Sequence, residues 1–93
     1  MRGRISGEDA RRLLAEGALL LDVRTPAEFA AGHLDGARNI PLGELASRAG
    51  ELGDAGRDVV VYCASGMRSR SAQGLLRRRG FTKVHDLGGM YRY

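Results

Sequence analysis

Cys63 is the only cysteine in the chain, and it opens the segment CASGMRS, Cys63 to Ser69. The nucleophilic form of a cysteine is the thiolate, and an unperturbed thiol, with a pKa of about 8.5, is mostly protonated at neutral pH. Chemistry at Cys63 therefore requires surroundings that stabilise negative charge. The residues that follow are of suitable types. Backbone N–H groups from Ala64 to Ser69 can curl around the sulfur if a helix starts there. Gly66 permits the left-handed turn such a cradle needs. Arg68 offers a permanent positive charge and a planar fork of donors for an oxyanion. Ser65 and Ser69 supply further hydroxyl donors or a helix cap, and Met67 either lines the entrance or fills space. On residue types alone, a nucleophile in an anion cradle competes with a small buried apolar residue at a strand end, the usual fate of a free cysteine.

Other candidates are weaker. Asp22 and Arg24 close a neighbouring apolar run, where they either orient the loop or simply pair with each other. Glu28 lies three residues after Thr25, the spacing of a capping box, which accounts for it without acid–base catalysis. His33, within GHLDGA, invites a Cys–His pairing, and His85 has nothing to single it out. Two histidines and one cysteine, widely spaced, do not make a metal site. The run LLRRRGFTK, Leu75 to Lys83, has the arginine density of a nucleic-acid contact but reads first as the solvated end of a helix. An acidic protein surface is the intermediate possibility.

These residues must be positioned by elements whose signals alternate along the chain. Ser6, Glu8 and Asp9 open a helix with Ala10, Leu13 and Leu14 on one face, and Gly17 closes it. Ala18 to Val23 is an apolar run of buried-strand length. Thr25-Pro26-Ala27-Glu28 starts a short helix that ends at Gly32. A short strand follows at Ala37 to Ile40. Pro41 then leads into a helix carrying Leu42, Leu45, Ala46 and Ala49, which stops in the glycine-rich stretch from Gly50 to Gly56. Asp58 to Tyr62 is a second buried strand. A helix from about Ser69 to Arg79 turns Ala72, Leu75 and Leu76 inward, Gly80 caps it, and Lys83 to Leu87 forms the last strand. Alternation of this kind implies βαβ crossovers and a parallel sheet covered on both faces, with ligands at the carboxyl ends of the strands, where Cys63 stands.

Composition narrows the classes. The 93 residues fit one compact domain, residues 1–93, with one site. A 43% hydrophobic and 28% charged composition suits a globular chain and not a disordered one. With no Trp, three Tyr and two Phe, Leu and Val must supply most of the core. The longest apolar run, Ala18 to Leu21 with Val23 beyond, is too short for a membrane span or a signal-peptide core. An unpaired thiol fits a reducing compartment, so a cytoplasmic protein is expected, with no membrane partner. The net charge of +4 favours anionic small molecules or acidic surfaces and is too small to imply nucleic acid.

The segment CASGMRS resembles the active-site loop of the rhodanese family, the thiosulfate sulfurtransferases and their single-domain relatives. The stretch DVRTPAEFAAGHLDGARNIP, Asp22 to Pro41, resembles the family's other signature, and DLGGMYRY, Asp86 to Tyr93, resembles its last strand and turn. The resemblance implies a three-layer α/β/α fold around a central, mostly parallel sheet of about four to five strands. It implies a two-step transfer in which Cys63 takes a sulfur atom from a small anionic donor such as thiosulfate and passes it to cyanide or a thiol. Ala64 to Ser69 would cradle the persulfide, His33 would belong to a structural turn, and neither metal nor organic cofactor would be needed. A cysteine phosphatase or arsenate reductase is the rival enzyme. Its loop places five residues between Cys and Arg, whereas that position here is Ser69, with Arg68 one residue early and Arg70 one late. A persulfide relay serving a protein partner is the second rival. The family pattern has Trp where Tyr93 stands and runs on, so a final turn or helix is expected to be missing, which leaves open how the face near Gly88 and Gly89 is covered and leaves room for a dimer contact.

Overall fold

The computed structural model describes residues 3–93. Local start signals act as their chemistry dictates. Helix α1 (Gly7–Ala15) begins at Ser6, whose hydroxyl accepts the Asp9 N–H at 3.0 Å, with Glu8 and Asp9 at the positive end of the helix dipole. Helix α2 (Pro26–Ala31) has Pro at its first position and a complete capping box between Thr25 and Glu28. Helix α3 (Leu42–Arg48) runs into a 3₁₀ turn over Ala49–Leu52, and α4 covers Met67–Arg78.

Four strands, β1 (Leu19–Asp22), β2 (Arg38–Asn39), β3 (Val59–Cys63) and β4 (Val84–Gly89), form one sheet in the order β2-β1-β3-β4, with every pairing parallel. Central position explains the composition of β3: both its edges are paired and both faces covered, and all five of its residues are wholly buried. Side chains alternate across the sheet. Val59, Val61 and Cys63 join Leu45, Ala72 and Leu76 beneath α3 and α4, whereas Val60 and Tyr62 join Leu20, Leu87 and Ala10 beneath α1.

Several boundaries differ from expectation. The first two strands are shorter than the apolar runs that encode them, because Val23 and Ile40 bury their side chains just outside the paired segments. Strands β3 and β4 run on to Cys63 and Gly89. Helix α4 starts two residues before Ser69, since Gly66, at φ +112°, turns the chain directly into it. The face near Gly88 and Gly89 is covered. Residues Met90–Arg92 form a 3₁₀ turn, Arg92 donates to Leu87 O at 2.7 Å and to Ile5 O at 2.8 Å, and the Tyr91 ring lies against Gly89.

Candidate active site

Cys63 ends β3 at the carboxyl edge of the sheet, wholly buried, with its side chain on the α4 face. Two backbone donors reach its sulfur: Gly66 N at 3.0 Å and Ser69 N at 3.3 Å. Of the six N–H groups expected to form the cradle, these two lie within hydrogen-bond distance of Sγ itself. The Ser69 hydroxyl donates to Gly66 O at 3.1 Å, closing the turn from inside, so Ser69 acts through its amide on the sulfur and through its side chain on the loop. Gly66 and Ser69 are buried, whereas Ala64, Ser65 and Met67 are exposed, Met67 at 79%. No serine side chain caps α4.

Arg68 is turned toward α2. Its two terminal nitrogens donate to Glu28 at 2.7 and 3.0 Å, a bidentate pair across 40 positions of sequence. Glu28 keeps its capping role at the same time, since its Oε1 also accepts the Thr25 N–H at 2.9 Å. The Arg68 guanidinium and the cap hold this carboxyl down to about 2, and the carboxylate in turn raises the arginine. Arg68 therefore clamps the start of α4 to the start of α2. The sequence reading placed a free fork at this position and missed Glu28 as its partner, because nothing in local spacing joins residues so far apart.

Asp22 and Arg24 form a second buried unit. The Asp22 carboxylate is wholly buried and accepts from Arg24 N, Nε and Nη2 at 2.7 to 3.1 Å. Arg24 also donates to Gly32 O at 2.7 Å, and its guanidinium lies 5.8 Å from the Tyr62 ring centre. The Tyr62 hydroxyl accepts the Leu34 N–H at 3.1 Å, and burial, with Asp22 beside it, pushes the phenol up to about 12. Alternation explains this grouping: Asp22 is in register with Tyr62, one residue before Cys63, and so shares the face opposite the thiol. The hydrogen bonds of Asp22 and Arg24 go to each other and to the segment after α2, and none is made to residues 63–69 among the described residues. Tyr62 as a member of this unit was also missed; its only sequence signal is a tyrosine ending an otherwise aliphatic strand.

The remaining candidates are placed simply. The His33 Nδ1–H donates to Phe29 O at 2.9 Å and the ring stacks on Phe29 with centroids 3.7 Å apart, so His33 is part of the turn after α2. His85 pairs with Asp58 at 2.9 Å. Among the described residues, no group of His, Cys, Asp and Glu is arranged to hold a metal ion, and no helix is long and apolar enough to cross a membrane.

A buried thiol at a parallel-strand terminus, with two amide donors and a helix N-terminus on its sulfur, suits an anionic sulfur species. The chain is similar to known proteins over nearly all its length. The family model described as Rhodanese-like domain matches residues 6–93. The chain is 43% identical over 75 residues to the uncharacterized protein YqhL of Bacillus subtilis, covering 81% of this chain and 59% of that one. It is 37% identical over 86 residues to the thiosulfate sulfurtransferase GlpE of Pseudomonas aeruginosa, covering 92% of this chain and 77% of GlpE. The solved structure of the human single-domain sulfurtransferase TSTD1 superposes with a TM-score of 0.85 at 34% identity, covering 99% of this chain and 94% of that one. With its fold, its loop and nearly its whole length matched, the chain belongs to the rhodanese-like domain family.

Proposed function

We propose that residues 1–93 act as one rhodanese-type sulfurtransferase domain in which Cys63 carries a sulfane sulfur between thiosulfate and a thiophilic acceptor. The observation that supports this most directly is the pair of N–H donors from Gly66 and Ser69 on Cys63 Sγ. In the first step the Cys63 thiolate attacks the outer sulfur of thiosulfate. The new S–S bond forms as the donor's S–S bond breaks, and its electron pair leaves with sulfite. In the second step cyanide or a thiolate attacks the outer sulfur of the Cys63 persulfide, releasing thiocyanate or a new persulfide and restoring the thiolate. This is covalent nucleophilic catalysis, and the amide donors stabilise the charge that the intermediate holds between steps. Neither step requires a metal or an organic cofactor. A reducing cytoplasm suits a chain whose single cysteine must stay free.

The geometry argues against the phosphatase reading. A phosphate cradle needs a guanidinium pointing into the loop, and Arg68 spends both terminal nitrogens on Glu28. The donors at residues 66 and 69 both converge on the single sulfur. A relay that receives sulfur from a protein persulfide uses the same chemistry, and Met67, exposed at the rim, suits contact with such a partner.

Mass spectrometry after mixing with thiosulfate tests the proposal. The protein should gain about 32 Da, one sulfur atom, and lose it on adding cyanide; Cys63→Ser should gain nothing. Hydrolysis of an aryl phosphate that disappears in Cys63→Ser, with no sulfur adduct, would sink it.

A further inference from the structure

Because Arg68 is held by Glu28, the loop itself presents no unpaired cation to an anionic donor. A second guanidinium flanks it from the start of the chain. Ile5 N donates to Asp86 O at 2.9 Å, which lays this segment along the open edge of β4. From there the Arg4 side chain passes over the α-carbons of Gly88 and Gly66. A Cβ at Gly88 would stand 2.7 Å from Arg4 Cδ and 2.8 Å from Nε, and a Cβ at Gly66 would stand 2.7 Å from Cζ. Both glycines also have positive φ, +90° and +112°. Only residues without a side chain let the guanidinium settle here. Gly66 is the residue whose N–H donates to Cys63 Sγ, so the Arg4 charge is packed directly on the sulfur's own donor.

The charge is available. Among the described residues the Arg4 guanidinium makes no hydrogen bond, and its ion-pair partner, Asp86, approaches only to 3.8 Å. The side chain is 37% exposed. It also borders a cleft of about 520 Å³ whose walls include Arg70, Gln73, Arg77 and Asp86, so three guanidiniums face one carboxylate. Field from such a cleft concentrates anions at its mouth, and a guanidinium fork matches the oxygens of a sulfonate.

We infer that Arg4, and not Arg68, recognises the sulfonate end of the donor and sets the preference for anionic donors; the inference rests on the sulfurtransferase reading above. Arg4 touches substrate only in the donor half-reaction. With thiosulfate as donor and dithiothreitol, uncharged at neutral pH, as acceptor, kcat/KM for each substrate reports its own half-reaction. Arg4→Ala should lower kcat/KM for thiosulfate about tenfold and leave that for dithiothreitol within about twofold. Arg4→Lys should recover part of the loss. The wild-type thiosulfate value should fall with added salt, and the Arg4→Ala value should be nearly flat. Unchanged kcat/KM for thiosulfate in Arg4→Ala, or equal losses for both substrates, would overturn the inference while leaving the persulfide intact. Absence of any sulfur adduct on the wild-type protein would overturn both.

Discussion

Two buried polar units stand side by side at the carboxyl ends of adjacent central strands, and they are built on opposite plans. At the end of β1, Asp22 and Arg24 neutralise each other through charge-assisted side-chain hydrogen bonds and tie in the segment after α2 through Gly32. At the end of β3, Cys63 has no side-chain partner among the described residues, and its sulfur meets only backbone amides. Both oxygens of the buried Asp22 carboxylate are spent on Arg24, so the value of the pair is structural. A thiol held by main-chain donors keeps its reacting lone pairs free while the charge it acquires is already solvated. The face of the sheet on which each residue falls separates the two, and the Glu28–Arg68 clamp links α2 to the loop.

Paired substitutions should break this comparison most sharply. Cys63→Ser is expected to remove sulfur transfer by three orders of magnitude or more in a thiocyanate assay, with only a small change in thermal stability. Asp22→Ala should do the reverse. It leaves Arg24, 6% exposed, as an uncompensated buried charge, a cost of roughly 3–5 kcal/mol. For a chain of this size that is a fall in Tm of roughly 15 °C or more by calorimetry. An Asp22→Ala protein as stable as the wild type would show that the β1 unit is not structural.

Glu28 sharpens the comparison through pH. Its carboxyl lies near 2 in the folded protein against 4.5 for an unperturbed glutamate. A lowered folded value means that the carboxylate stabilises the protein above about pH 4.5 and loses that contribution as pH falls toward 2. The Tm difference between wild type and Glu28→Gln should accordingly be constant above about pH 5.5 and close across that acid window. A difference that persists unchanged at pH 2.5 would locate the effect elsewhere.

The smallest effect is expected at Tyr62. Tyr62→Phe should cost about 1–2 kcal/mol in denaturant unfolding, because Leu34 N loses its buried acceptor, and should leave sulfur transfer within about twofold. In the wild type, an ultraviolet titration should show one tyrosine ionising only near pH 12, consistent with a Tyr62 phenol pushed up to about 12. Complete tyrosine ionisation by about pH 10.5 would contradict the burial assigned to Tyr62.

Some of this was readable from the chain alone. Ser6, Thr25-Pro26 and Glu28 announce helix starts because capping is satisfied within four residues, and α1 and α2 begin where those signals stand. The aliphatic runs announce buried strands because a parallel strand covered on both faces must be apolar throughout. Cys63 was legible as the candidate nucleophile because it alone can supply a thiolate. Strand ends were less legible, since Val23 and Ile40 are as apolar as the paired residues beside them.

What the sequence by itself determined is therefore the order of elements, the parallel sheet and the one candidate nucleophile, all set by short-range periodicity and residue chemistry. Only the tertiary structure decided which charges are free. Glu28 closes on Arg68, and Arg4 arrives at Gly66 with no hydrogen-bonded partner among the described residues, whereas the pairing of Asp22 with Arg24, two residues apart, was already one of two local readings. The physical reason is that contact depends on distance in space, and chain separations of 40 and 62 residues carry no local trace of which side chains the sheet will bring together.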